Sequence, residues 1–511
     1  MQCSVSEGGG GSAGRPNILF VISDDQSWPH ASAYGHAVFQ TPAFDRVAQQ
    51  GVLFNNAFVA APQCSPSRAA LLTGLHIWQL EEAGTHSSYF PSKFEVFTQK
   101  LAQSGYAVGY TGKAWGPGNF RDAGWSENPV GKAWNERLLG EVPYTGIHKL
   151  DYVGNFRDFL DARGDSEPFF FWFGAHEPHR DYEYGTGKRP SPDIDIPLPA
   201  FLPRTDSIVQ DMLDYALEIA WFDQQLDSML QILEQRGELD NTIVVVTSDN
   251  GMAFPHAKAS LQEYGIHVPL AICGPGIPGQ RSVDDMVSLI DLAPTFLEAA
   301  GAENLKKAEG RSLMPLLRSN RSGVIDSTRD YILAGRERHT HARPDNLGYP
   351  ARAIRNHDYL YIRNFAPDRW PMGDPPPATF ENVGDDPEMK PIVVGFEDID
   401  DSPTKRIMIR RRGEWPDLFQ TVFEKRPTEQ LYDIRRDPDC LRDLSQDPAY
   451  AKVLTDLRGT LDAALTSQGD PRMLGSGSIF DAYPRFGRMR PFPGFRKRGE
   501  YNQALMPSTN P

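Results

Sequence analysis

The first 300 residues contain a series of short, continuous hydrophobic runs, each bounded by polar residues or glycine. The first run is Asn17–Ser23, with the sequence NILFVIS, and it ends at the pair Asp24-Asp25. An uninterrupted apolar run of this length is typical of a strand buried on both faces, as in a parallel sheet. Similar strands are predicted at residues 106–111, 169–174, 242–247 and 268–273.

Segments with helical periodicity lie between these runs. Thr41 and Pro42 are residue types favoured at an N-cap and in a first turn, and that helix is predicted to end near Gly51. Further helices are predicted at residues 94–104, 207–236 and 291–300. Because strands and helices alternate, the predicted fold class is α/β, with a large, mostly parallel, doubly wound sheet flanked by helices.

The pattern changes after residue 325. Short runs that suggest antiparallel strands occur at residues 331–336, 351–355, 359–363 and 431–434, and a helix is predicted at 449–466. They predict a smaller C-terminal α+β domain. The chain is therefore divided into a disordered N-terminal segment or tag (1–16), an α/β domain (17–325), an α+β domain (326–468) and an extended tail that wraps the surface (469–511).

Charge and hydropathy exclude two classes of function. Lys and Arg total 52 against 67 Asp and Glu, a net charge of −15, which argues against a nucleic-acid-binding protein. No apolar run approaches the roughly 20 residues of a membrane span. The first 16 residues lack the apolar core of a signal peptide, so the sequence suggests either a cytoplasmic protein or one whose signal has been removed.

Cysteine spacing excludes two kinds of structural site. The four cysteines are far apart and form no CxxC pair, which argues against a metal-thiolate site and a disulfide framework. They are Cys3, Cys64, Cys273 and Cys440. One of them is thus available for a chemical role.

Polar residues follow three of the predicted strands. Asp24-Asp25 follows the first, His176 follows the strand at 169–174, and Asp249-Asn250 follows the strand at 242–247. In such sheets ligands bind at the carboxyl ends of the strands, and carboxylates gathered there repel one another unless a cation lies between them. Oxygen ligands favour Ca²⁺ or Mg²⁺ over Zn²⁺. Alternatively, each acidic residue caps the helix or turn that follows it.

The segment Cys64-Ser65-Pro66-Ser67-Arg68, followed by AALLTG, resembles the signature of the sulfatase family. In that family Cys-x-Pro-x-Arg directs oxidation of the cysteine to formylglycine. Other segments also resemble the family: they are Gly112-Lys113, AHEPH at 175–179, SDNG at 248–251, LYD at 431–433 and DP at 437–438. Within the family, HEPHR at 176–180 and SDNGMAFP at 248–255 are most similar to the heparan N-sulfatases.

The resemblance implies an alkaline-phosphatase-like fold and hydrolysis of a sulfate ester or sulfamate on a sulfated saccharide. The expected substrate is the end of a glycosaminoglycan such as heparan sulfate, or a related polysaccharide. One Ca²⁺, with Mg²⁺ as the alternative, is expected at Asp24, Asp25, Asp249 and Asn250. The resemblance also implies a formylglycine-generating maturation enzyme as a partner, and a periplasmic or secreted location.

Each remaining catalytic residue has an expected role. The hydrated formylglycine made from Cys64 attacks sulfur, and Arg68, one helical turn later, holds it. Lys113 and Lys258 bind sulfate oxygens, and His176 donates a proton to the leaving atom. His179 is expected to bind substrate. For each lysine the alternative is a solvated surface residue, and for His176 a capping or core histidine.

Trp115 departs from the family pattern. Many sulfatases have a histidine two residues after the lysine of Gly-Lys, where it assists release of sulfate, and an indole cannot accept a proton. His256, in PHAK at 255–258, is the candidate substitute; solvent or a metal-bound hydroxyl are the alternatives.

Specificity is assigned to a basic cluster in the second domain. Residues 336–343 read RERHTHAR, and the candidate substrate-binding residues there are His339, His341, Arg343 and, farther along, Arg352. The alternative is a solvated face with internal salt bridges. The run KRIMIRRR at 405–412 is interpreted first as surface.

Two other functions compete with this interpretation. Phosphonate monoester hydrolases or phosphodiesterases of the same superfamily also use Cys-x-Pro-x-Arg in some cases. A catalytically idle sulfoglycan-binding protein would have no need of a modifiable cysteine, so the intact Cys64 argues against it.

Overall fold

The structure is a computed structural model that describes residues 15–164, 167–191, 193–376 and 395–486. The predicted N-terminal segment 1–16 lies outside the described residues except for residues 15 and 16. Of the predicted tail 469–511, the part after residue 486 lies outside them. Among the described helices, none combines the length and hydropathy needed to span a membrane.

A mixed, mostly parallel sheet of eight strands forms the centre of the N-terminal part. The strands of this part are β1 (Asn17–Ser23), β2 (Val52–Phe54), β3 (Ala57–Phe58), β4 (Ala107–Gly112), β5 (Lys132–Ala133), β6 (Phe169–Gly174), β7 (Thr242–Ser248), β8 (Leu270–Cys273), β9 (Arg281–Val283) and β10 (Val287–Ser288). The order in the large sheet is β5-β4-β6-β1-β7-β8-β2-β9, and β3 pairs with β10 separately.

Helices cover both faces of this sheet. They are α1 (Pro42–Gln50), α2 (Cys64–Thr73), α3 (Phe97–Gln103), α4 (Tyr152–Ala162), α5 (Asp206–Gln235), α6 (Glu263–Ile266), α7 (Leu292–Ala300) and α8 (Met314–Leu317). Side chains of β1 alternate between two apolar clusters: Phe20 packs in the cluster that includes α2, α3 and α7, and Leu19 in the cluster with α1, α4 and α5. The predicted α/β class with helices on both faces is confirmed.

The sheet is mostly parallel, as predicted, and β8 is the strand that runs antiparallel to its neighbours. The run at 268–273 forms β8, which pairs antiparallel with β7. The connection between them holds only the short helix α6 and does not cross the sheet, so the chain returns in the opposite direction. β2, in turn, is antiparallel to β8.

A four-stranded antiparallel sheet forms the C-terminal part, as predicted. Its strands, in spatial order, are β11 (Tyr331–Arg336), β12 (Ala351–Asn356), β13 (Tyr359–Asn364) and β14 (Glu429–Asp433). The helices of this part are α9 (Pro403–Arg410), α10 (Pro416–Phe423), α11 (Ala451–Ser467) and α12 (Ile479–Ala482). Leu360 of β13 and Leu461 of α11 belong to the same apolar cluster as Phe20. The small sheet therefore shares a core with one face of the large one.

One local prediction is confirmed in position but not in its capping contact, and one is corrected. Thr41 is the N-cap residue of α1, but its side chain makes no capping bond; the Asp223 carboxylate of α5 accepts from the amides of Ala43 and Phe44 instead, each at 2.8 Å. The basic run at 405–412 contains most of α9, in which Lys405 is buried and its ammonium donates to the Ile399 carbonyl at 2.8 Å, so the run is not wholly on the surface.

The three central strands end at the same level. Ser23, at the end of β1, lies opposite Ser248 of β7, and Ile22 lies opposite Gly174 of β6. The residues that follow β1, β6 and β7 therefore meet at one edge of the sheet.

Candidate active site

Three buried carboxylates gather at this edge. Asp24 and Asp25 directly follow β1, and Asp249 directly follows β7; all three are at most 1% exposed. The Asp25 amide donates to Asp249 Oδ1 at 3.1 Å, so the two turns are joined. Asp25 has a left-handed backbone, with φ +75°. Non-glycine residues in this region are uncommon and recur at functional sites.

Cys64 is the first residue of α2 and points at the carboxylates. Its Sγ lies 3.4 Å from Asp24 Oδ1 and 4.0 Å from Asp25 Oδ1. Burial, followed by the charge of Asp24, raises the pKa of the Cys64 thiol well above its ordinary value. At neutral pH the side chain is therefore a thiol, which is a poor nucleophile compared with a thiolate. The sulfur as it stands is not activated, although it lies at a helix N-terminus, where anions bind.

Three cationic side chains each pair with one carboxylate. Lys113 Nζ lies 2.5 Å from Asp24 Oδ2, and Lys258 Nζ lies 2.6 Å from Asp25 Oδ2. The third pair joins Arg68 Nε to Asp249 Oδ2 at 2.7 Å. These six charges cancel. Burial opposes the charge of Lys113, but the neighbouring Asp24, Cys64 and Asp249 together outweigh it and hold the pKa of the lysine above its ordinary value.

The positions of Arg68 and Lys113 are linked through the backbone. Arg68 Nη1 donates to the carbonyls of Lys113 and Ala114, at 2.7 and 3.1 Å. Gly112, before the lysine, has φ +78°, and a Cβ there would lie 2.0 Å from the Gly174 carbonyl oxygen. Only glycine fits this turn, which brings Lys113 over the end of β6.

The donor set fits a hard divalent cation. Asp24, Asp25 and Asp249 each offer a carboxylate oxygen within 4.8 Å of the others. Asn250 Nδ2 donates to Asp25 Oδ1 at 2.7 Å, while its Oδ1 is buried and has no hydrogen-bond partner within the described ranges. A buried, unpaired amide oxygen beside carboxylates is the arrangement that Ca²⁺ or Mg²⁺ would satisfy.

Two histidines follow β6 near this cluster. His179 Nε2 lies 3.9 Å from Asp25 Oδ2, and its side chain is 35% exposed. His176 stacks on His148 with ring centroids 4.0 Å apart. Burial, followed by the neighbouring His148, lowers the pKa of His176 to about 3. At neutral pH its ring is uncharged and carries a single N–H.

The structure does not bring His256 into the cluster. Its Nε2 lies 3.2 Å from the Asp439 carbonyl oxygen and its ring packs against Phe201. Trp115 is also turned aside, because its indole N–H donates to the Ser65 carbonyl at 3.1 Å and its ring packs on Phe90. Trp115 therefore supports the first turn of α2.

The predicted substrate-binding residues of the second domain are buried. Arg343 Nη2 lies 2.6 Å from Asp398 Oδ2, and His339 Nδ1 lies 3.1 Å from the Asp398 carbonyl oxygen. His341 is 3% exposed. The structure thus holds these side chains in the interior, and Asp398 supplies a compensating carboxylate.

Arg352 is likewise an interior residue. It is fully buried between Asp470 and Glu337, at 2.7 and 2.8 Å. A guanidinium with two carboxylate partners holds the antiparallel sheet to the chain that follows α11. Arg343 and Arg352 therefore form internal salt bridges, which was the alternative interpretation of the basic cluster, and do not form a glycan-binding surface.

Two further residues, which the sequence did not indicate, reach the site. Asp400 Oδ2 lies 2.9 Å from Lys258 Nζ, and His148 stacks on His176. Both come from loop-rich segments without a motif, so no local signal distinguishes them.

Comparisons with known proteins agree with this geometry. Residues 16–302, more than half of the chain, match the family model described as Sulfatase, and residues 256–399 match one described as N-sulphoglucosamine sulphohydrolase, C-terminal. Human N-sulphoglucosamine sulphohydrolase is 29% identical over 484 residues, covering 87% of this chain and 89% of the human protein. An ulvan-active sulfatase of Formosa agariphila is 25% identical over 499 residues, covering 91% and 77%.

Solved structures extend the similarity to the fold. A 2-O GAG sulfatase matches with a TM-score of 0.62 at 20% identity, covering 94% of this chain and 99% of that chain. The match therefore extends over nearly the full length of both chains.

Proposed function

Because this chain belongs to the sulfatase family, we propose that it hydrolyses a sulfate ester or sulfamate on a sulfated saccharide, with Cys64 as precursor of the nucleophile. One observation carries the proposal. The Cys64 sulfur lies at the start of α2, within 4.0 Å of two carboxylates whose other oxygens bind lysines. A buried thiol with a raised pKa has no evident role there unless it is converted to another group.

The modified side chain would be formylglycine, whose hydrate supplies an oxygen nucleophile for attack on sulfur. Arg68 holds the first turn of α2 against the ends of β4 and β7 through its contacts with Asp249 and the Lys113 carbonyl. Lys113 and Lys258 present ammonium groups to the space around Cys64. Both are suited to bind the oxygens of a sulfate group.

Asp24, Asp25, Asp249 and Asn250 would hold the cation, with Ca²⁺ favoured and Mg²⁺ as the alternative. Its chemistry when bound is to polarise sulfate oxygens and to favour the ionised nucleophile. The three carboxylates and three cationic side chains cancel, and Asp400 adds one further negative charge beside Lys258, so a divalent ion would leave a net charge of about +1 at the site. An anionic sulfate group is attracted to such a site, and its charge is compensated there.

His176 is the candidate donor to the leaving atom. Its ring is uncharged at neutral pH, so a hydrogen bond from its N–H stabilises the negative charge that develops on the leaving oxygen or nitrogen. His179, beside Asp25, is exposed enough to contact the sugar.

The substrate we propose is an N-sulfated glucosamine residue at the end of a chain. Support comes from the match of residues 256–399 and from the 29% identity with the human N-sulphoglucosamine sulphohydrolase. The ulvan-active relative makes an O-sulfated polysaccharide the second candidate.

The test uses protein produced together with a formylglycine-generating enzyme, with conversion of Cys64 confirmed by peptide mass. Glucosamine N-sulfate, glucosamine 6-sulfate and a phosphodiester are compared. We expect turnover of the sulfamate, and a loss of at least ~10³-fold in Cys64→Ala with an unchanged unfolding temperature. Turnover of the 6-sulfate alone would correct the substrate, and turnover of the phosphodiester alone would overturn the reaction.

A further inference from the structure

His148 and His176 form a stacked pair at the rim of the site. Their ring centroids are 4.0 Å apart and the ring planes differ by 15°. His176 follows β6, whereas His148 comes from the loop before α4, 28 residues earlier. The contact is a near-parallel stack of two imidazoles, and it fixes one face of the His176 ring.

One buried carboxylate anchors both histidines. Glu177 Oε1 accepts a hydrogen bond from the His148 amide at 2.8 Å. Its Oε2 accepts from the Tyr152 hydroxyl at 3.0 Å, and that hydroxyl accepts from the His176 amide at 3.1 Å. Glu177 is 1% exposed. The relative position of the two backbones is therefore set independently of their side chains.

The protonation of His148 is fixed by its own loop. The Leu150 amide donates to His148 Nδ1 at 3.2 Å, so that nitrogen carries a lone pair and the proton resides on Nε2. A charged His148 would need a proton on Nδ1 and would lose this bond. Burial also lowers the pKa of His148. The ring that stacks on His176 is thus uncharged, so the pair avoids the repulsion of two imidazolium ions.

Resting on the proposed function, we infer that His148 is a positioning residue for His176: its stacked ring fixes the orientation in which the His176 N–H meets the leaving atom of the substrate. Besides His148, the charged groups Asp24, Lys113 and Arg68 act on His176 electrostatically. They belong to the sulfate site, whereas the stack with His148 fixes the ring without taking part in binding sulfate.

The experiment separates stacking from hydrogen bonding. His148→Phe keeps a flat ring but removes both nitrogens, and His148→Ala removes the stack; neither change alters the backbone bond to Glu177. His357→Ala, in the β12–β13 turn, is the matched control. Each protein is assayed on a saccharide sulfate or sulfamate, which has a poor leaving group, and on an aryl sulfate, whose leaving group needs no proton.

We expect His148→Ala to reduce kcat on the saccharide by about 10–100-fold, because removing one hydrogen-bond donor to a developing negative charge costs about 10²–10³-fold and a misplaced donor loses part of that. KM should change little, and kcat on the aryl sulfate should stay within about threefold. His148→Phe should recover most of the saccharide rate.

Other results overturn the inference. Equal losses with both substrates would indicate a general structural effect, and an unchanged saccharide rate would show that the stack has no influence. If His148→Phe is as slow as His148→Ala, the Nε2–H itself is needed and the positioning role is wrong.

If the wild-type protein hydrolyses none of the sulfated substrates, the proposed function is refuted. Histidine NMR then tests the inference about His148 by itself. The inference then stands if His148 is protonated on Nε2 and its removal shifts the His176 ring resonances. It fails if the proton is on Nδ1 or if those resonances do not move.

Discussion

Arg68 gives the most direct test of how the site is held together. Its guanidinium is fully buried and makes three contacts, with Asp249 Oδ2 and with the carbonyls of Lys113 and Ala114. Arg68→Lys preserves the charge but cannot reach all three acceptors from one nitrogen. Arg68→Ala removes the charge as well and leaves Asp249 buried without its partner.

The expected losses follow from these contacts. A hydrogen bond with a charged partner contributes about 1.5–3 kcal/mol, so Arg68→Lys should lose about 1.5–3 kcal/mol of stability if one of the three contacts is lost. Breaking a buried ion pair from one side costs about 3–5 kcal/mol, and the two orphaned carbonyls add to it in Arg68→Ala. The order of the thermal unfolding midpoints should be wild type, then Arg68→Lys, then Arg68→Ala.

The assay is thermal unfolding followed by calorimetry or far-UV circular dichroism, with sulfatase activity measured alongside. Lys93→Ala, which breaks an exposed pair with Glu81, is the control, because such pairs contribute about 0–1 kcal/mol. The reasoning would be refuted if Arg68→Ala unfolds at the wild-type temperature, or if Arg68→Lys is less stable than Arg68→Ala.

Calcium added to chelator-treated protein should raise the unfolding midpoint. At a free calcium concentration 100 times the Kd, binding should add about 2.7 kcal/mol to the free energy of unfolding, and Asn250→Ala should reduce that gain. An unchanged midpoint would exclude the site. Burial raises the pKa of Glu218 to about 9. The folded protein therefore keeps a proton that the unfolded chain loses near pH 4.5, and the free energy of unfolding should fall as the pH rises from about 4.5 to about 9. Glu218→Gln should flatten that dependence and raise the midpoint at pH 8; an equally steep curve would contradict the assignment. His256→Ala should change turnover by less than about threefold, because the His256 ring contacts the Asp439 carbonyl and Phe201. Slowing by about 10²-fold or more would show that His256 acts as the base that assists release of sulfate.

The long strands could be predicted because burial on both faces leaves a continuous apolar run. Asn17–Ser23 and Phe169–Gly174 have the predicted bounds for this reason. Strands of two or three residues, such as β2 and β5, are too short to show a period. The direction of β8 could not be predicted either, because a buried strand has the same apolar sequence pattern whether its pairing is parallel or antiparallel.

Site residues were predictable where they are adjacent in sequence or follow a predicted strand. Asp24, Asp25 and Asp249 were placed at one edge by the register of β1 and β7, which parallel pairing requires. Arg352 was misjudged because a buried and an exposed arginine have the same local sequence, and its partner Asp470 lies 118 residues away. His148 is likewise positioned by tertiary contacts that no local pattern encodes.

The central position of β1 has a consequence for when Cys64 can be modified. β1 pairs with β6 and β7, which end about 150 and 225 residues later in the chain, and Cys64 is 1% exposed once those strands are in place. During synthesis, therefore, the Cys64 segment leaves the ribosome long before the strands that enclose it. For the proposed conversion of Cys64, an oxidising enzyme would have access to it only in that interval, or in a chain that has unfolded again. Yield of active protein should depend on how fast the sheet closes relative to that encounter, so faster folding would lower the fraction of molecules that mature.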